Sequence, residues 1–405
     1  MGSLKGLFKT KFAAALLAFF MLAAGASYYG FAESKALDFP FLSWTAWTIK
    51  DFFKQEQSPN LVFLGSSLML VPLDGIDADY LNRRVDGSQH HHSAYFEDKF
   101  KEKTGISTRT FTFALPGEMP SDAYLIVDNM LKGKKKPEVI VYGVGPRDFL
   151  DNMLPSPSAT DPFRFLSRFG DISPVAERVM PDWQDRLDFE LGRLCYFYGK
   201  RVDISNNASK LASQIVGQLA PLPANTKAAS FDDRRLLMPD FRPCEVLQGQ
   251  AFFRPMTGEQ KGNFVDNLGE YKKRYAKMKW DTYISQMRFF ADTIDAAQSR
   301  GIKFVVVTMP ITGLNRSLLS NIAWDAYRSG VIGMAKAKGA TVIDFSESPE
   351  FSQDDFGDTV HLHSAGGKRF FDLLMDRLAL EKSLLTALQG KSGSERIAQK
   401  KGGQL

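Results

Sequence analysis

The sequence has little of what builds small cross-linked or metal-clipped modules. Of its 405 residues only Cys195 and Cys244 are cysteines. That excludes a disulfide-stapled framework and a cysteine-rich zinc module. Histidine occurs five times, as His90, His91 and His92 and then as His361 and His363. Histidine-dependent chemistry therefore has few places to occur. Internal repeats are missing, and so is any strong excess of one charge. The formal net charge of +5 comes from the two ends: Lys5, Lys9 and Lys11, then five Lys/Arg against one Glu over residues 382–405. The remainder is slightly acidic, so a nucleic-acid partner has no electrostatic footing. What is present is ordinary globular protein, 44% apolar and 24% charged, which rules out a disordered or fibrous chain. The length fits two or three domains, or one α/β domain with insertions.

Phe12 to Ala32 carries no charged side chain over 21 residues, behind the three lysines. A helix needs about 20 residues to cross the hydrocarbon core. The lysines predict a cytoplasmic N-terminus with the rest outside. Two readings fit: an uncleaved anchor, or a signal peptide cut after Ala24-Gly25-Ala26. Either one puts the remainder outside the cytoplasm, where a Cys195–Cys244 disulfide is chemically possible. Two isolated small core hydrophobes are the other reading of this pair.

Residues 33–58 read as a juxtamembrane linker with Trp44 and Trp47 as interfacial anchors. Asn60–Gly65, Thr108–Leu115, Glu138–Val144, Lys303–Met309 and Thr341–Phe345 are apolar runs suited to buried strands. Between them lie helical patterns. One is capped by Ser121 and runs to about Leu131, one carries Tyr283, Met287, Phe290, Ile294 and Ala297, and one follows Ser364. Strands alternating with helices predict an α/β fold with a parallel sheet covered on both faces over residues 59–388. The stretch from about 150 to 280 breaks the rhythm and reads as a mostly helical insertion. Residues 389–405, rich in Gly, Ser and Lys, read as a disordered tail.

Ligands of parallel α/β sheets bind at the C-terminal ends of the strands. Here the first strand runs into Gly65-Ser66-Ser67, the second ends near Gly117, and the third runs into Gly145-Pro146-Arg147-Asp148. Asp358-Thr359-Val360-His361 precedes the last helix, and Gly366 follows five residues after His361. A serine hydroxyl is a poor nucleophile until a base takes its proton. His361 can be that base for Ser67, and Asp358 can hold the imidazole tautomer. The Ser67 and Gly117 N–H groups could meet the oxyanion. Alone, Gly65-Ser66-Ser67 also reads as a plain strand-to-helix turn with a capping serine.

In order and spacing these blocks resemble the SGNH/GDSL hydrolase superfamily over residues 60–149 and 281–380. The resemblance implies a three-layer sandwich with a central parallel sheet, flavodoxin-like, with Ser67 as nucleophile. The sequence departs from it twice. Ser66, a further substrate-proximal candidate, stands where Asp is usual, and Arg147 stands where the oxyanion Asn is usual. Arg147 could act as a charged oxyanion donor, bind an anionic substrate group, or pair with Asp148. Gly-Ser-Ser after an N-terminal membrane helix is similar to the D-alanyl transfer and exopolysaccharide acetylation proteins of bacteria. That likeness implies O-acyl transfer or ester hydrolysis on a polysaccharide or glycolipid. It also implies an acyl donor and a membrane-bound O-acyltransferase partner, and a domain in the periplasm held by one span of the inner membrane. It requires no cofactor and no metal. The alternative from another class is a non-catalytic scaffold that binds glycan or positions the acyltransferase.

Three further sites remain open. His363 is a loop residue or a substrate contact. The His90–His92 run, with His91 as its substrate-proximal candidate, is a solvated loop, a neighbour of the site or a metal ligand set. Lys134–Lys136 reads as a solvated turn.

Overall fold

Leu61–Gly65, a run with no charged residue, forms strand β1 and is buried at every position. The other strands are β2 Val85–Asp86, β3 Thr110–Thr112, β4 Val139–Val144, β5 Phe252–Phe253, β6 Lys303–Thr308 and β7 Thr341–Asp344. The computed structural model describes residues 11–29, 44–180, 182–201, 204–205, 208, 211, 215, 252–253, 255–256 and 264–390. Lys5, Lys9, Cys244 and residues 391–405 lie outside this set.

Five strands make one parallel sheet in the order β3-β1-β4-β6-β7. The chain steps from β1 outward to β3, then returns past β1 to β4. The crossover direction therefore reverses beside β1, and a crevice opens at such a point in open α/β sheets. Phe63 faces Thr112 on one side and Val141 on the other, and Gly65 faces Gly143.

The principal helices are α1 Lys11–Tyr29, α2 Trp44–Lys54, α3 Ser67–Tyr80, α4 Ala94–Thr104, α5 Pro120–Asn129, α6 Pro146–Leu150, α7 Asp161–Leu166, α8 Trp183–Leu194, α9 Leu268–Arg274, α10 Trp280–Gln298, α11 Asn321–Ala337 and α12 Ser364–Leu380. Helices meet the sheet from both parities of strand residue. The Phe63 ring lies 5.1 Å from Phe96 of α4 and 5.8 Å from Phe371 of α12. Tyr142 instead lies 6.0 Å from Phe290 of α10. This two-sided cover is why the strands read as unbroken apolar runs rather than alternating ones. Each such aromatic contributes about 1.5–3 kcal/mol by leaving water.

The chain divides into two compact units, Met1–Leu42 with Ser173–Met238, and Ser43–Ile172 with Pro239–Leu405. The stretch expected as one insertion over 150–280 is thus shared between them. Besides its helices it holds one short strand, Phe252–Phe253, which pairs antiparallel with Val85–Asp86. α1 is long and apolar enough to cross a membrane.

Four local expectations are corrected. Trp44 and Trp47 are buried, not interfacial, because α2 packs its apolar face on β3, with Phe52 4.8 Å from Phe113. α5 starts at Pro120, ahead of Ser121. Proline pre-sets the first helical φ, Asp122 accepts the Met119 N–H at 2.8 Å, and Ser121 is taken up by Gln286 of α10. The tail boundary at 389 falls inside a helical stretch over 382–390, anchored by buried Leu384 and Leu388. Lys134 and Lys135 form a single 3-10 turn, and the Lys135 ammonium donates to the carbonyls of Phe52 and Gln55 rather than standing free.

Candidate active site

β1 ends on Gly65 with φ at +143°. A Cβ there would lie 2.6 Å from the Gly143 carbonyl oxygen across the sheet. Only glycine lets the two strand ends come this close. Ser66 then caps α3, its carbonyl accepting the N–H groups of Met69 and Leu70. Ser67 becomes the first residue of α3, at the positive end of the helix dipole. It is partly exposed.

Ser67 Oγ lies 2.8 Å from His361 Nε2. On the other edge of the ring, His361 Nδ1 lies 2.7 Å from Asp358 Oδ2. The second carboxylate oxygen, Oδ1, accepts the Val360 and His361 N–H groups at 2.8 and 2.7 Å. Burial pushes the Asp358 carboxyl up. The hydrogen bond and charge of His361, with the two backbone N–H groups, outweigh burial and hold it below its ordinary value. An ionised Asp358 can only accept. Nδ1 must therefore carry the imidazole proton, which leaves Nε2 to accept from the serine hydroxyl.

The turn bearing this pair is tied from several directions through Thr359, which is fully buried. The Thr359 carbonyl accepts from Thr312 Oγ1 at 2.8 Å, and Thr359 Oγ1 accepts from Asn315 Nδ2 at 3.1 Å. Asn267 Oδ1 accepts from both the Thr359 N–H and its hydroxyl. Val265 N–H donates to Gly357 O at 2.9 Å.

Gly117 turns the chain after β3 with φ at +78°. The space where its Cβ would stand lies 3.5 Å from Arg147 Nη2. Arg147 donates from Nε to Asp151 Oδ2 at 3.0 Å, and its Nη1 lies 3.8 Å from Asp148. Arg274 of α9 donates to the same Asp151 oxygen at 2.5 Å. Asp151 thus holds two guanidinium groups at once. Arg147 Nη2 carries no hydrogen bond among the described residues.

Around this pair lies a buried acidic group. Burial pushes Asp122 up to about 7, against the pull of the Thr160 hydroxyl, the Met119 N–H and Arg147. Burial likewise pushes Asp148 up to about 6, against Arg147 and the Gly145 N–H. Glu118 is raised well above its ordinary value by burial, helped by the charges of Asp122 and Asp148. The Leu115 and Gly65 N–H groups oppose this from outside normal hydrogen-bond geometry. Tyr271 of α9 is raised first by burial, then by the charge of Asp358, while Arg147 and Arg274 lower it. The tyrosine therefore lies within electrostatic reach of both the histidine–carboxylate pair and the guanidinium pair.

The structure thus brings Ser67, His361 and Asp358 together and sets Arg147 beside Gly117. Other candidates take different places. Ser66 is buried, and its hydroxyl helps to lower Asp148, short of normal hydrogen-bond geometry. His363 is a helix cap: Nδ1 accepts the Gly366 N–H at 3.2 Å, and Nε2 donates to the Asp354 carbonyl at 2.6 Å. A Cβ on Gly366 would overlap the Asp355 carbonyl, so that position demands glycine. His91 packs its ring 5.3 Å from Phe111, and its Nε2 lies 3.5 Å from Asp51. Its carbonyl takes the Thr112 N–H. Burial lowers the His91 pKa despite Asp51. His90 is bonded to Asp77 at 2.7 Å, and the His92 ring lies 4.5 Å from that of His90, tilted by 47°. The histidine run thus closes the free edge of β3, a common protection for an exposed strand. No group of His, Cys, Asp or Glu among the described residues is arranged to hold a metal ion.

Asn267, Tyr271, Arg274, Glu118 and Asp151 are residues of this site that sequence reasoning missed. Only Asp151 had a readable signal, its four-residue spacing from Arg147. The chain matches no protein-family profile and no curated protein.

Proposed function

We propose that this chain is an extracytoplasmic serine acyltransferase or esterase of the SGNH kind, held at the membrane by α1. The observation that carries the reading is the unbroken relay from Ser67 Oγ through His361 to Asp358, at 2.8 and 2.7 Å. Its place beside the sheet's reversal point supports the reading, as do helices on both parities of strand residue, which suit a three-layer flavodoxin-like sandwich.

In the forward step Ser67 Oγ attacks an acyl carbonyl while its proton passes to His361 Nε2. Asp358 stabilises the imidazolium without itself taking a proton. The tetrahedral oxyanion is met by the Ser67 and Gly117 N–H groups and by Arg147 Nη2. As the carbon–oxygen bond to the leaving group breaks, His361 returns the proton to that oxygen. Acyl-Ser67 remains. An acceptor hydroxyl then loses its proton to His361 and attacks the acyl carbon, and as the bond to Ser67 Oγ breaks His361 returns the proton to that oxygen. With a sugar hydroxyl as acceptor the outcome is transfer, and with water it is hydrolysis. The acceptor we favour is a polysaccharide or glycolipid, with a membrane-bound O-acyltransferase as the source of acyl groups.

A fluorophosphonate probe tests the chemistry. Labelling of the purified chain that disappears in Ser67→Ala is the expected result. Absence of labelling, with Ser67→Ala cells retaining wild-type envelope acylation, refutes it and favours a scaffold that only binds.

A further inference from the structure

The unit that contains α1 has little apolar core among its described helices. No residue of α8 is buried, none of the short helix Tyr196–Gly199 is buried, and α1 buries only Ala13 and Ala23. Yet α8 carries Trp183, Leu187, Leu191 and Leu194 at helical spacing on one face, exposed by 69, 49, 40 and 76%. In water such a face forgoes the stabilisation that burying it would give. Three of the five charges of the same helix are in ion pairs. Arg193 meets Glu190 at 3.3 Å, and Asp188 takes both Arg201 at 2.9 Å and the Tyr198 hydroxyl. The helix is thus amphipathic, with a bare apolar side and a charged side that is partly paired.

What covers the bare side follows from its neighbour. α8 and Tyr196–Gly199 fold back on each other at Gly192 and Gly199. A Cβ on Gly199 would overlap the Gly192 carbonyl, a small-residue approach of the kind that packs helices in lipid. The hairpin so formed touches α1, with the Phe197 ring 5.7 Å from Phe19. Phe19 is the ninth of the nineteen residues of α1. At 1.5 Å per residue α1 is about 28 Å long, so Phe19 stands near the middle of any bilayer that α1 crosses.

We infer that the α8 hairpin is a lipid-facing element. The Trp183–Leu194 face lies in the acyl chains, and the paired charges lie among the headgroups. An interfacial helix sinks about 5–10 Å below the headgroup boundary, and the phenylalanine side chain supplies the remaining reach toward Phe19. Trp183 at the end of the stripe suits the aromatic belt of a membrane interface. The inference rests on α1 crossing the membrane, as proposed above.

The test uses the full chain with Cys195→Ser and Cys244→Ser, reconstituted in vesicles of phosphatidylethanolamine and phosphatidylglycerol. Nitroxide labels are placed singly at Leu187→Cys, Leu191→Cys, Asp185→Cys and Ala18→Cys, and collision with oxygen is compared with collision with a nickel chelate. The expected oxygen-to-nickel ratio at 187 and 191 exceeds that at 185 several-fold and approaches that at 18. A ratio at 187 and 191 equal to that at 185 places the stripe in water and overturns the inference. Exclusion of both reagents there means that protein covers the stripe, which overturns it in favour of a protein partner. A water-like ratio at 18 refutes the anchor instead, so the two failures are separable. Quenching by brominated lipids gives a check without cysteines: the quenchable part of the tryptophan emission falls in Trp183→Phe. Equal quenching in both chains also overturns the inference.

Discussion

Replacing Asp358 by asparagine tests the relay at its least visible point, the imidazole tautomer. Asp358 Oδ1 holds two backbone N–H groups, and Oδ2 holds one imidazole N–H. An asparagine has one oxygen and one NH₂ for these two positions. Turning the NH₂ toward the Val360 and His361 amides would strand two donors, at about 1–3 kcal/mol each. Turning it toward the ring conflicts with one, and the ring can escape by moving its proton. The amide oxygen therefore stays on the backbone, Nδ1 becomes an acceptor, and the proton moves to Nε2. Nε2–H then faces Ser67 Oγ and cannot take its proton. Loss of the correct tautomer costs on the order of 10⁴-fold in serine hydrolysis, or about 5.5 kcal/mol in the barrier. The assay is the second-order rate of fluorophosphonate labelling for the two chains, with circular dichroism to show that the fold is kept. ¹⁵N-resolved imidazole NMR should show the proton on Nε2. Labelling of Asp358→Asn within tenfold of the parent would sink the argument.

Two other outcomes follow from the same geometry. His363→Ala should lower stability by about 1 kcal/mol through loss of a helix cap while leaving the labelling rate within a few-fold, and a loss as large as that of Asp358→Asn would make His363 part of the chemistry. Asp122 and Asp148 are raised to about 7 and about 6, so the stability they contribute is complete below the ordinary carboxylate range and is lost as pH rises through these values. Thermal unfolding should therefore come at a higher temperature at pH 5 than at pH 8, with the difference reduced in Asp122→Asn; an unchanged pH profile in that variant contradicts the assignment.

The sequence carried the sheet and the relay because both leave local marks. Strands covered on two faces show as unbroken apolar runs, and Asp358 and His361 are three residues apart on one turn. The rest is long-range. α9 reaches the site through the contacts of Val265 and Asn267 with the 357–359 turn, and nothing in residues 264–275 announces that pairing. His363 has the composition of a second base and the position of a cap, and its contacts with the Gly366 N–H and the Asp354 carbonyl distinguish them. The tryptophans of α2 have the composition of a membrane belt. Phe111 and Phe113, far along the chain, are what draw that helix into the core.

Ser67 and His361 stand 294 residues apart in the chain. The proposed nucleophile is therefore among the first parts of the α/β unit to be synthesised, and its proposed base is among the last. A nascent chain that has completed β1 through β6 holds a serine with no proton acceptor, in a sheet still lacking β7 and α12. On the proposed function, reactivity switches on only when the C-terminal part docks. A chain truncated before residue 358 would be chemically silent, however well its first strands are paired. On that reading, the order of synthesis itself guards the serine against premature reaction.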